Sequence, residues 1–157
     1  MENNTNKRRY TFSEYIENPE LQDSAFCLKT VSRNPNNLYY IRDDLKTYDI
    51  CLNAVKKYGL ALCYVPKKFK TKELCLEAVK EDCFALQYVK RQTPELCMVA
   101  LKRSVLAFKC VRNQTLEMIE FVFNKITSER KNYLVLNLID KEKAPNCIKY
   151  YLEVNNI

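Results

Sequence analysis

The stretch TKELCLEAVKEDCFALQYV, beginning at Thr71, echoes TYDICLNAVKKYGLALCYV, beginning at Thr47. A chain that copies itself at so short an interval is confined to folds that stack one unit upon the next. The aligned starts are Asp23, Thr47, Thr71, Thr93 and Thr115, spaced 24, 24, 22 and 22 residues apart. Threonine and aspartate are strong helix N-caps, because a side-chain oxygen accepts a hydrogen bond from a first-turn N–H that has no partner within the helix. An acid follows two positions later at Asp49, Glu73, Glu95 and Glu117, where the positive end of the helix dipole favours it. Each start therefore predicts a helix.

Within that helix Leu74, Cys75, Ala78 and Val79 fall on one face, and Ile50, Cys51, Ala54 and Val55, then Leu96, Cys97, Ala100 and Leu101, repeat the pattern. A lysine follows in three copies, at Lys56, Lys80 and Lys102, near the negative helix end. The second half of the unit also recurs. Leu62, Tyr64 and Val65 match Leu86, Tyr88 and Val89, then Phe108, Cys110 and Val111, and backwards Leu38, Tyr40 and Ile41. A second short helix is expected to end there, and Pro66 helps to stop it by pushing its predecessor out of helical angles.

The expected fold is all-α: an α-solenoid of tandem 22–24-residue helix-turn-helix (αα-hairpin) repeats. Helices this short are marginal alone, since nucleation is costly, so each unit must lean on its neighbours. The expected organisation is a loosely ordered tail over residues 1–10 and a single repeat domain over 11–157. Half-repeat caps fall near 11–22 and 143–157, the latter around Cys147, and a looser turn near 127–132.

Several chemistries are disfavoured. The chain has no histidine, so the usual base for a serine or cysteine nucleophile and the commonest metal ligand are missing. Its single glycine, Gly59, is too few for the phosphate-cradling or dinucleotide-binding loops. Of eight cysteines, Cys27, Cys51, Cys75, Cys97 and Cys147 share one repeat position, which suits a small buried hydrophobe. No CxxC pair occurs, so structural zinc lacks its usual spacing. The expectation is a non-enzyme without cofactor or metal. No apolar run reaches the roughly 18 residues of a membrane span, and the N-terminus lacks the apolar core of a signal peptide. An intracellular protein with no membrane partner is expected.

The start threonine, the Cys-Leu-x-Ala-Val run and the Leu-x-Tyr-Val ending resemble a helical-repeat family of unknown function abundant in giant DNA viruses of amoebae and found in some intracellular bacteria. The resemblance runs from Asp23 to Val111, with departures at Cys110 and at Met118-Ile119. It implies helical repeats, brings no catalytic residues, and implies a viral protein at work in the host cytoplasm or nucleus, or packaged in the virion.

Charge supplies the candidate site. From Lys46 to Arg112 there are 14 Lys and Arg against 6 Asp and Glu, a balance of +8 in a chain whose total is +7. Part of the excess recurs just after the second helix, at Arg42, Lys67, Lys68, Lys90, Arg91 and Arg112. Stacking is expected to align these residues into a basic ridge. The ridge reads either as a track for nucleic-acid phosphates or as solvated cations favourable to helix ends. Tyr39, Tyr40, Tyr64 and Tyr88 are expected to pack in the core with their hydroxyls at the surface, the alternative being stacking platforms for bases. The leading functional expectation is a scaffold for a protein partner, and the alternative is sequence-nonspecific nucleic-acid binding along the ridge.

Overall fold

The computed structural model of the protein describes residues 11–125 and Glu153. The expected tail over 1–10, the looser turn at 127–132 and the half-repeat around Cys147 lie outside the described residues. Among those described, the architecture is helical with no strand. A short helix α1 (Phe12–Glu17) and a 3-10 turn η1 (Pro19–Leu21) precede the repeats. Then α2 (Ser24–Arg33), α3 (Tyr48–Lys57), α4 (Lys72–Glu81), α5 (Pro94–Arg103) and α6 (Leu116–Lys125) follow at the repeat interval. Four 3-10 runs lie between them: η2 (Pro35–Tyr40), η3 (Gly59–Tyr64), η5 (Cys83–Tyr88) and η6 (Val105–Cys110). An extra turn, η4 (Lys67–Phe69), occupies the connection into α4.

The caps act where the repeat starts predict. Asp23 Oδ1 accepts from Phe26 N at 2.7 Å, and the hydroxyls of Thr47, Thr71, Thr93 and Thr115 accept from the N–H three residues on at 3.2–3.4 Å. At the other end, one residue serves two helices. Asn34, Asp82 and Ser104 swing to extended angles, as at Asp82 with φ −139° and ψ 115°, and so end the α-helix. Their side chains then accept from the N–H two residues later and open the 3-10 run. Tyr58 takes the same extended backbone without a side-chain acceptor.

The second element of each unit is thus a six-residue 3-10 run, where an antiparallel partner α-helix was expected. Its length explains the difference. Six residues allow few i→i−4 bonds, and a polar cap that bonds two residues ahead already sets a tighter turn. Apolar residues in these runs recur every three positions. Leu38 and Ile41, Leu62 and Val65, Leu86 and Val89, and Phe108 and Val111 are all buried, which matches three residues per turn.

The α-helices contact one another in sequence order, α2 with α3, α3 with α4, α4 with α5 and α5 with α6, and the 3-10 runs η2, η3, η5 and η6 do the same. The helices α3, α4 and α5 each also pack on the 3-10 run of their own unit and on that of the unit before. The core lies between the two rows. Cys27, Cys51, Cys75 and Cys97 sit in it beside Ala54, Ala78 and Ala100, small residues that let helices approach closely. The approach is tightest at Gly59. A Cβ there would penetrate the carbonyl oxygen of Ala78 and lie 2.8 Å from both N and Cβ of Asp82, at the C-terminus of α4.

Polar clamps join neighbouring units at two places. Gln22 Nε2 donates to the carbonyls of Tyr15 and Tyr40, while its Oε1 accepts from Arg42 N at 3.0 Å. Gln92 repeats the arrangement, donating to Leu86 O and Cys110 O and accepting from Arg112 N at 2.9 Å. Helix C-termini are capped from the following unit: Lys57 Nζ donates to Ser32 O at 2.8 Å, and Arg103 donates to Lys80 O. Among the described residues no helix is long and apolar enough to cross a membrane.

Candidate functional site: a cation-rimmed groove

The six residues of the expected ridge divide between two situations. Arg42 is occupied locally: its guanidinium forms a two-pronged pair with Asp44 at 3.0 and 2.6 Å. That hydrogen bond, above all, holds the Asp44 carboxyl below the usual carboxylate range. Arg112 is occupied within the stack, donating to Lys90 O at 3.1 Å and Gln87 O at 3.3 Å. Both ends of the ridge therefore serve the fold. Lys68 leans over the Phe69 ring at 4.8 Å.

Lys67, Lys90 and Arg91 come together at a groove of about 720 Å³ between α4 and α5. Its floor is apolar, formed by Cys75 and Leu76 of α4 and Leu96 and Val99 of α5. Its rim adds Lys70 and Lys72 to those three cations, against one carboxylate, Glu95. The groove opens at the N-terminal ends of two helices, with their caps Thr71 and Thr93 in its wall, so both helix dipoles add to the positive field. The sequence explains why the cations gather here. KKFKTK, residues 67–72, places four lysines in six positions without an acid, and the η4 turn lies within that run, just before α4. In the preceding unit Asp43 and Asp44 pair with Lys46 and Arg42. Lys67, Lys90 and Arg91 make no ion pair among the described residues.

Two rim residues are tuned by their surroundings. Burial holds the Lys70 ammonium below the usual lysine range, and Nζ reaches Tyr88 O at 3.4 Å. Lys70 thus stands where Gln22 and Gln92 stand, one residue before a cap, and makes the same inter-unit reach. The Glu95 carboxyl is held below its ordinary range, first by a hydrogen bond from Thr93 and then by the backbone at its own position. Glu95 remains ionised near neutrality.

The thiols have the opposite character. Burial raises the thiols of Cys27, Cys51, Cys75 and Cys97, and Cys51 is pushed up to about 11, which suits packing groups and not nucleophiles. The tyrosines part from expectation. Tyr64 and Tyr88 pack on the core in part, but Tyr39 is 63% and Tyr40 46% exposed. The three-residue period gives the inward position to Leu38, so Tyr39 and Tyr40 pack edge-on against each other, with centroids 5.0 Å apart. Tyr39 also meets Tyr64 at 5.3 Å.

Sequence reasoning missed the clamp position and the groove floor. The signal for the first was present: the residues before the caps are Gln22, Lys46, Lys70, Gln92 and Gln114, always long, polar side chains able to donate.

Fold and site together define a helical protein of tandem short units with a cation-rimmed groove between α4 and α5. The chain belongs to the family described as domain of unknown function (DUF4116), which matches residues 23–70 and 71–115. Both matches begin on a helix N-cap, Asp23 and Thr71, and each takes in two of the 22–24-residue units. No curated protein and no solved structure matches the chain.

Proposed function

We propose that the protein is a non-enzymatic α-solenoid of two-helix units that serves as a scaffold for a protein partner. The apolar floor of the α4/α5 groove carries this reading. A phosphate track needs continuous cations and gains little from Leu76, Leu96 and Val99, whereas a protein segment can bury side chains there. The engagement of Arg42 and Arg112 within the fold also argues against an unbroken track. Extended stacks of repeats present such surfaces along their length. The resemblance to repeats of amoebal giant viruses supports a place in an infected cell or a virion.

Sequence-nonspecific nucleic-acid binding is the second reading, and the four lysines of residues 67–72 favour it. Affinity capture of the full chain from its native cell, with and without nuclease, separates the two. Protein partners that survive nuclease are expected. Loss of all partners on nuclease treatment, together with DNA or RNA affinity that falls log-linearly with salt, would overturn the scaffold reading.

A further inference from the structure

Resting on that reading, we infer that the α4/α5 groove takes an acidic protein segment carrying an aliphatic or aromatic side chain, with its carboxylates at Lys67, Lys90 and Arg91 and its apolar side chain on Leu76, Leu96 and Val99. Charge complementarity selects the occupant. Five cations border the groove against one carboxylate, and two helix N-termini add to the same sign. A neutral or basic segment would leave that field unanswered. The volume, about 720 Å³, lies in the range of sites that enclose a small ligand or a few side chains. The apolar floor asks for more than charge: a purely acidic segment would cover Leu96 and Val99 without filling the space above them.

Glu95 adds selectivity. It is the sole carboxylate in the groove lining, and an ionised carboxylate only accepts hydrogen bonds. A carboxylate of the partner is disfavoured at that point and a hydroxyl, amide or ammonium donor is favoured there. The expected recognition pattern is therefore acids on the Lys67/Lys90/Arg91 side, an apolar anchor in the middle, and a donor facing Glu95.

The site occurs in one unit pair for reasons already visible. Its counterparts one unit earlier neutralise their own cations through Asp43 and Asp44. One unit later, Arg112 is turned onto the carbonyls of Gln87 and Lys90.

The test is selection of random peptides displayed on phage against the full chain, followed by affinity measurement on the enriched sequences. Enrichment of acidic peptides with a leucine, isoleucine or phenylalanine is expected. Lys67→Glu, Lys90→Glu and Arg91→Glu together should weaken them about tenfold or more, three exposed ion pairs at up to about 1 kcal/mol each. Lys68→Glu, outside the groove lining, should leave them within about twofold. Val99→Asn tests the floor at a half-buried position where the neighbouring units already carry polar side chains, Asn53 in α3 and Glu77 in α4. It should weaken binding severalfold and leave the remaining affinity more sensitive to salt.

Enrichment of neutral or basic peptides, or acidic peptides indifferent to the three reversals, would overturn the proposal. So would displacement of the peptides by a single-stranded oligonucleotide with a steep salt slope. Failure here is separable from failure of the scaffold reading: nuclease-resistant native partners retained equally by wild type and triple reversal would sink the groove and leave the scaffold standing.

Discussion

Gly59→Ala probes the closest approach between units. The added Cβ would lie 2.8 Å from Asp82 N and Asp82 Cβ, about 0.6 Å inside the 3.4 Å at which ordinary contact begins, and closer still to Ala78 O. Two of these three atoms are backbone, and they form the bond Asp82 N→Ala78 O at 2.9 Å that closes α4. No flexible side chain can yield. Relief requires η3 to move away from α4 or the α4 C-terminus to open. Overpacking of this kind costs about 1–3 kcal/mol, against which the stiffer unfolded chain returns about 0.4–1 kcal/mol at most. The expected net loss is about 1–2 kcal/mol, or about 2–8 °C in Tm for a chain of this size.

Thermal and urea unfolding followed by far-UV circular dichroism would measure it, with a lower urea midpoint at unchanged slope. The matching position one unit later provides the contrast. Cys83 is buried in a site that accepts its side chain, so Cys83→Gly should also destabilise, there by leaving a void. A Gly59→Ala protein as stable as wild type, or more so, would refute the claim that backbone contact sets the spacing between units.

Other outcomes follow from the same contacts. Tyr58→Asn supplies the acceptor that Asn34, Asp82 and Ser104 supply in the neighbouring units and should raise stability by about 0.5–1 kcal/mol; an unchanged or lower Tm would count against the cap. Gln92→Leu leaves Arg112 N and Cys110 O without their partner and should cost about 1–3 kcal/mol in urea unfolding, more than Lys70→Met, which removes one bond of 3.4 Å. The Cys51 thiol titrates near 9.0 when unburied and about 11 in the fold. The folded state thus holds that proton more tightly, so its contribution is fully present below pH 9 and is lost as pH rises toward 11. Stability should fall across that window, less so in Cys51→Ala measured against its own value at pH 7.

Much of the fold was legible because it rests on local signals in several copies. The caps at Asp23, Thr47, Thr71 and Thr93 and the inward face at Leu74, Cys75, Ala78 and Val79 recur often enough for chance to cancel. The 3-10 character of the second element was harder to read, though Leu62 and Val65, three apart, carried its period. Aligning copies shows which positions match but not how the backbone turns between them. The site was half legible. Charge located Lys67, Lys90 and Arg91, but whether a cation is free depends on where it bonds across units. Asp44 lies close enough in sequence to signal the pairing of Arg42, but nothing in the letters at Arg112 distinguishes an exposed guanidinium from one turned onto carbonyls of the unit before. The floor was hidden because Leu96 belongs to the inward face while Leu76 and Val99 flank it, and only a gap between two helices makes them one surface.

The residue that closes one helix and opens the next, as Asp82 does, has a consequence for how such a chain can lengthen. Ten residues of α-helix, one hinge and six of 3-10 are held in phase, since an added residue on either side of the hinge would turn the inward faces out of line. Past the buried Ile41 and Val65, the return segments 42–46 and 66–70 are less constrained, and they hold the two extra residues of the 24-residue copies as a turn or as η4. Insertion there alters the edge and leaves the core undisturbed. Most of the lysine-rich run that borders the groove lies in one of these tolerant segments, so the basic edge can diverge from copy to copy while the packing between copies stays the same.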